Sequence, residues 1–297
     1  MVVTLLTAAL LSLAVTMVCA LLILRAGRSW PLRAADDGRP IGGPVLLVGT
    51  LVGMIPIFCD LNPFLLAGAA VIVLVGLIDD QIDLSPWYKL LGQGIAATLA
   101  VFGLSSLHLI SLGTTVYLGS AQRVVTFLWV VVLMNAVNLI DGLDGLAIAT
   151  LLPPLTVLII IASLLGNYVG AILAAAMLGA LVGFYPFNRH RGRLLLGDTG
   201  AELLGYLLAI LTLMILNRGP KGWSILPALF LVALPLSDTV FAVIRRIVRG
   251  QSIFQGDKRH IHHRLATRFG VRKAVAILAG TSIVSSGIAF LLWWAGG

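Results

Sequence analysis

Apolar runs long enough to cross a lipid bilayer follow one another along almost the whole chain, and no other feature restricts its fold so strongly. A membrane helix needs about 20 apolar residues, with a range of roughly 17–25. Runs of that length or slightly shorter lie near residues 2–24, 44–59, 63–78, 88–105, 124–140, 145–165, 168–186, 199–216, 223–244 and 274–295. Lipid excludes irregular backbone, so the pattern predicts an all-α, polytopic integral membrane helix bundle of about ten transmembrane helices. Composition agrees: 59% of the 297 residues are hydrophobic and 11% are charged, against about 25% charged in soluble domains. The length suits one bundle, so residues 1–297 read as a single transmembrane domain. The first run has no basic residue ahead of it and no clear small-residue cleavage site, and is read as a membrane helix rather than a signal peptide. Cys19 and Cys59 lie in apolar runs without disulfide or metal spacing and are expected to be buried packing residues. The segment 106–123 alternates in "TTVYLGS", which suits a short surface hairpin.

Charge sets the orientation. Loops near 25–43, 79–87, 141–144, 187–198 and 245–273 hold 16 of the 20 Lys and Arg, while the opposite side has only Arg123, Arg218 and Lys221. The positive-inside rule makes the first set cytoplasmic and puts both termini on the outer side. The net charge of +8 is therefore one-sided. It suits anionic lipid or a phosphorylated substrate rather than nucleic acid. Of the twelve acidic residues only Asp60 falls on the outer side, a bias that the positive-inside rule does not itself produce.

Four constellations share that cytoplasmic face. In "GLIDDQIDLSPWYKLLGQ" Asp79, Asp80 and Asp83 follow an apolar run directly. Neighbouring carboxylates repel, so a cation is expected between them, and hard oxygen donors suit Mg²⁺. Lys89 and Gln93 lie one helical turn apart, placed to reach an anionic group. In "NAVNLIDGLDGLA" the spacing of Asn138, Asp141 and Asp144 aligns them on one face if the segment is helical, with Gly142 and Gly145 allowing a turn or a close backbone approach. In "LLLGDTGAELLGY" Asp198 stands at the start of a helix that it or Thr199 could cap, and the free N–H groups of that helix end suit a phosphate. In "RRIVRGQSIFQGDKRHIHHRL" His260, His262 and His263 sit among Arg245, Arg246, Arg249, Lys258, Arg259 and Arg264. So many cations oppose a zinc site and favour phosphate oxygens. Each stretch has a bland alternative: a solvated acidic loop, an N-cap pair, a plain helix cap, a basic membrane-surface loop. Together, an acidic set suited to a divalent cation and a cationic loop suited to phosphate are the equipment for phosphoryl transfer.

The motifs "DDQID", "NAVNLIDGLDGLA", "GDTG" and "DKRHIHHRL", in this order over residues 79 to 265, closely resemble those of the polyprenyl-phosphate N-acetylhexosamine-1-phosphate transferases. "RPIGG" at 39–43 looks like a worn form of that family's first-loop motif. The histidine motif and its lead-in look most like the N-acetylglucosamine branch. The resemblance implies an inner-membrane, multi-pass enzyme with a cytoplasmic active site. It would transfer N-acetylhexosamine-1-phosphate from a UDP-sugar to undecaprenyl phosphate, release UMP and start a cell-surface polysaccharide. It implies Mg²⁺, with Mn²⁺ as a substitute, and is compatible with a homodimer. Carried over by position, Asp198, Asp79 and Asp144 would be metal ligands. Asp79, Asp80, Asp141, Asp144, His262 and His263 would be catalytic, and Lys89, Asn138, His260 and Arg264 would bind substrate, with Asp238 behind them. Three features depart from the family. Leu194, Leu195 and Leu196 stand where an aromatic residue often stacks on uracil, Ala201 replaces a common Ser, and "SIF" replaces "SPF".

Three rivals compete. A divalent-cation or small-anion transporter would place carboxylates at mid-membrane and show repeats. A CDP-alcohol phosphotransferase would need an Arg after the Asp-Gly of "DGLDGLAIAT". An inactive family member would not need the intact Asp and His sets.

Overall fold

A computed structural model describes the chain except residues 35–37, 105–108, 112–114, 120, 190–191, 218–222, 249, 251–259 and 297. Helices dominate: α1 Val2–Ala26, α2 Gly43–Gly53, α3 Pro63–Ile82, α4 Pro86–Gly103, α5 Ala121–Ile140, α6 Leu146–Leu164, α7 Tyr168–Asn188, α8 Gly197–Leu216, α9 Ile225–Leu231, α10 Ala233–Val248, α11 Ile261–Phe269 and α12 Val271–Gly296. The chain is an all-α polytopic membrane protein with a small sheet at one end. Every predicted apolar run contains a helix, but among the described residues length and apolarity assign seven crossings, α1, α3, α5, α6, α7, α8 and α12, or eight if α9 and α10 form one span. The second run is an 11-residue α2 followed by a 3-10 turn over Ile55–Asp60. The fourth, α4, is 18 residues long and carries Lys89 and Gln93.

The ninth run is not one straight helix. It begins as a strand, Trp223–Ser224, and α9 meets α10 at 83°. Pro235 has no N–H for the carbonyl of Leu231, and a missing rung at that place breaks a helix. The expected hairpin forms: β1 Leu109–Ser111 pairs antiparallel with β2 Thr115–Tyr117, and β3 Trp223–Ser224 adds in parallel to β1. The cysteines depart from expectation, since Cys59 is exposed and Cys19 only partly buried. Cys59 sits on the short 3-10 turn, which has no neighbour on its outer side.

α8 is the centre. Beyond Glu202 its sequence is apolar around almost the whole circumference, the signature of a helix buried on every side. It packs against α2, α3 and α5, while α1 and α12 lie outside, α1 on α7 and α12 on α6 and α9. Leu6, Leu10 and Leu22 of α1 and Val284 and Leu291 of α12 stay exposed, as a lipid-facing surface should. Several polar groups inside the bundle are paired. Tyr206 donates its hydroxyl proton to the carbonyl of Leu65 at 3.0 Å, and the Trp129 indole N–H donates to Thr212 Oγ1 at 3.0 Å.

One pairing repairs a defect. Pro154 lies inside α6 and cannot donate to the carbonyl of Thr150 four residues earlier. The Ser282 hydroxyl of α12 donates to that carbonyl at 2.7 Å. Ser282→Ala is expected to cost about 1 kcal/mol, a fall in thermal midpoint of roughly 2–4 °C in detergent. In a Pro154→Ala background, where α6 supplies its own donor, the same change should cost nothing measurable. An equal loss in both backgrounds would show that the hydroxyl does not serve that carbonyl.

Candidate active site

The "DDQID" motif forms the last turn of α3, and its two aspartates part company. Asp79 is buried and accepts from the Leu84 amide at 2.8 Å and from Lys89 Nζ at 2.6 Å. Asp80 turns to the start of α8. It accepts from the amide of Asp198 at 2.7 Å, the amide of Thr199 at 3.2 Å and the hydroxyl of Thr199 at 2.5 Å. The expectation that Asp198 or Thr199 caps α8 is therefore corrected: no residue of the helix's own start does so, and a carboxylate from α3 takes that place. Asp80 thus engages two of the free amides and the positive pole of this helix end. Asp83, in the left-handed region at φ 50°, closes α3.

Asp198 is thereby held with its side chain in the mouth. Its Oδ1 accepts from Lys89 Nζ at 2.9 Å and from Asn138 Nδ2 at 2.6 Å. Lys89 thus bridges Asp79 and Asp198, two residues 119 positions apart.

Asn138, Asp141 and Asp144 do not share a helix face. α5 ends at Ile140, and residues 141–145 form consecutive turns before α6. Gly145 adopts a left-handed φ of 80°, and its amide donates to Asn188 Oδ1 at 3.0 Å. Asp144 points away from Asp198: Arg39 Nη1 donates to its two oxygens at 3.0 and 3.2 Å, and the Gly192 amide donates to it at 3.0 Å. Asp141 has no side-chain hydrogen bond among the described residues. Burial, and then the charges of Asp198, Asp144 and Asp80, push its carboxyl well above the usual carboxylate range. That unpaired carboxylate in a negative cluster is the feature that fits a divalent cation.

The histidines arrive from α11 and its lead-in. Asp238 of α10 is buried, and one of its oxygens accepts from both His260 Nδ1 at 3.1 Å and His262 Nδ1 at 3.2 Å. Its other oxygen accepts from the Ile261 amide at 3.1 Å. A carboxylate only accepts, so both Nδ1 atoms carry protons and both Nε2 atoms are left as acceptors in the neutral rings. His262 Nε2 is buried without a partner and faces Gly142, where any side chain would collide with it. Asp238, His260 and His262 are also close enough to hold a metal, but the Asp238 hydrogen bonds already use the Nδ1 atoms. His263 lies beside His262, with ring centroids 4.3 Å apart and the rings tilted by 49°, and Arg264 is exposed on the same helix. Lys258 and Arg259 lie outside the described residues.

Sequence reasoning missed four contributors. Arg39, in the worn "RPIGG", partners Asp144, and the adjoining strand-like segment pairs Ile41 with Leu195. Asn188 ties the end of α7 to Gly145. Tyr185 and Phe187 supply aromatic surface in a cavity of about 690 Å³ that Asp144, Arg189, Arg193 and Arg272 also line. Leu194 and Leu196 are buried in the core and do not line this cavity. The spacing Tyr-x-Phe-x-Arg before the "GD" was the available signal.

Asp80→Ala removes three hydrogen bonds from the start of α8 and is expected to cost about 1–2 kcal/mol, read as a lower thermal midpoint in EDTA. Asp141→Asn should leave that midpoint unchanged or higher, because it relieves repulsion and breaks no hydrogen bond, and should abolish any rise in midpoint on adding Mg²⁺. A midpoint that falls equally in both variants would contradict this division.

Known proteins resemble the chain along most of its length. A sequence model described as glycosyl transferase family 4 matches residues 62–216. The chain is 34% identical over 244 residues to the probable undecaprenyl-phosphate N-acetylglucosaminyl 1-phosphate transferase of Bacillus subtilis, covering 80% of this chain and 68% of that one. It is 33% identical over 229 residues to the decaprenyl-phosphate N-acetylglucosaminephosphotransferase of Mycobacterium leprae, covering 68% and 57%. With the undecaprenyl-phosphate alpha-N-acetylglucosaminyl 1-phosphate transferase of Escherichia coli it shares 30% identity over 246 residues, covering 77% and 67%. The chain thus spans about two thirds of the Bacillus and Escherichia relatives and just over half of the mycobacterial one.

Proposed function

The chain belongs to glycosyl transferase family 4, and we propose that it transfers N-acetylglucosamine-1-phosphate from UDP-N-acetylglucosamine to undecaprenyl phosphate. The products are UMP and a lipid-linked sugar diphosphate that starts a cell-surface polysaccharide. The single observation that carries this reading is the meeting of all four motifs at one end of the bundle, with Lys89 between Asp79 and Asp198 and His262 against the Asp141–Asp144 turn. The reaction face is cytoplasmic, in the inner membrane, as the one-sided distribution of Lys and Arg supports.

A lipid-phosphate oxygen attacks the sugar-bound phosphorus of the donor. A new P–O bond forms as the bond to UMP breaks, and UMP leaves with the electron pair. Bound Mg²⁺, or Mn²⁺, would neutralise charge on the diphosphate. Asp198 and Asp141 are the residues best placed to hold it, with Asp79 beside them. Asp144 has been drawn off by Arg39, so its role moves from metal ligand to shaping the adjoining cavity. Lys89 would bind a phosphate oxygen if an ion took up the carboxylates it now bridges. His260, His262 and His263 meet the phosphates from the opposite side, with Arg264 at the rim. The aromatic and arginine-lined cavity by Asp144 suits the nucleotide. The helix that ends in Asp79 and Asp80 also lines an apolar cavity of about 420 Å³ through Val73 and Leu74, which suits a polyprenyl chain. Asp80 acts by placing Asp198 rather than by touching substrate.

Detergent-purified protein should release UMP only with UDP-N-acetylglucosamine, undecaprenyl phosphate and Mg²⁺ together. Release should stop in EDTA and fall more than about 100-fold in Asp198→Asn, the scale expected when an electrostatic partner of the transition state is lost. Folded protein that releases UMP from no UDP-sugar would refute the reading. Asp238→Asn should lower kcat by more than any fall in midpoint explains, because its amide nitrogen presents a donor either to both histidines or to the Ile261 amide, each of which needs an acceptor. Unaltered kcat would remove the histidines from the reaction.

A further inference from the structure

A second polar cluster lies one turn deeper in the bundle and has no part in the chemistry just described. Glu202 is fully buried at 0% exposure, and Gln93 is buried at 1%. Gln93 Nε2 donates to Glu202 Oε1 at 2.9 Å. Asn135 Nδ2 donates to Gln93 Oε1 at 2.6 Å and to the Val131 carbonyl at 2.8 Å. Glu202 Oε2 has no partner among the described residues. A buried carboxyl with one open oxygen is costly in any interior and more so among membrane helices, where polar residues tend to mark function.

The placement explains the cost. Gln93, Asn135 and Glu202 come from α4, α5 and α8, the same three helices that present Lys89, Asn138 and Asp198. The offsets from the upper residues are four, three and four positions, one helical turn in each case. Two polar triads are thus stacked on one trio of helices. We infer that Gln93, Asn135 and Glu202 form a positioning layer that sets the rotation of α4, α5 and α8 about their axes and so aligns Lys89, Asn138 and Asp198. Apolar contacts between α4, α5 and α8 tolerate rotation, whereas a hydrogen bond with two fixed ends does not. Turning a helix of about 5–6 Å radius, side chains included, by 20° moves a side-chain end by roughly 2 Å, and misplacement of 1 Å can cost about 100-fold in rate.

The inference rests on the reading of the upper triad as an ion and phosphate site, so the experiment follows two signals. Mn²⁺ binding to the full-length protein is measured by electron paramagnetic resonance, and UMP release is measured with saturating substrates. Glu202→Leu should weaken Mn²⁺ binding at least tenfold and lower kcat at least thirtyfold, with a thermal midpoint within a few degrees of wild type. Glu202→Gln, which keeps an acceptor for Gln93, should bring both back to within threefold. Wild-type values in Glu202→Leu would overturn the layer. So would equal losses in both variants that follow the midpoint. If Glu202→Leu does not fold, Asn135→Leu carries the test, and unchanged Mn²⁺ affinity there overturns the inference. Wild-type protein that binds Mn²⁺ but releases no UMP would sink the transferase reading alone, leaving the layer to be judged on Mn²⁺ affinity. Wild-type protein that binds no Mn²⁺ would overturn the layer as a support for an ion site.

Discussion

A helix that begins at a membrane surface has free amides and a partial positive pole that need a partner. In α8 that partner is Asp80, on a different helix, and the arrangement decides where every other charged group can go. With Asp80 drawn onto the first turn of α8, the end of α3 and the start of the central helix form one unit. Asp79, the residue before it on α3, meets Lys89 instead. Asp198, whose amide is held by Asp80, has its carboxylate free to meet Lys89 and Asn138. Two adjacent aspartates thus take different partners, Asp80 the start of α8 and Asp79 the ammonium of Lys89.

The negative mouth and the histidine loop are joined by an equally economical contact. Asp238 orders His260 and His262 through a single oxygen, and His262 reaches the Asp141–Asp144 turn only because Gly142 has no side chain. The acidic and cationic halves of the site are therefore fixed to each other by backbone shape as well as by charge. Asp141 is left as the carboxylate with least compensation, and the fit to a divalent cation follows from that imbalance.

Much of this was legible in the residues themselves. The apolar runs foretold the helices, the Lys and Arg bias foretold a charged face, and the four motifs foretold which side chains would meet. What could not be read was which partner each would take. Asp80 with Thr199, Arg39 with Asp144 and Gln93 with Glu202 are separated by 119, 105 and 109 positions, and nothing local distinguishes Asp79 from Asp80. The turn that ends α5 was readable from Gly142 and Gly145, whereas the helical condition under which Asn138, Asp141 and Asp144 would share a face is not met. The bend between α9 and α10 was readable in principle from Pro235, but the apolar run around it hid the break.

The hydroxyl of Ser282 on the Thr150 carbonyl bears on the order in which the molecule can be completed. α6 carries its proline defect from the moment it is made, yet the group that repairs it lies 132 residues later. At synthesis rates of about 5–20 residues per second, the carbonyl waits on the order of ten seconds inside an apolar layer with no partner from α12. The nascent bundle must hold that face of α6 open to water, to the insertion machinery or to a temporary neighbour until α12 arrives. The arrival of α12 thus completes the backbone pairing of a helix made long before it.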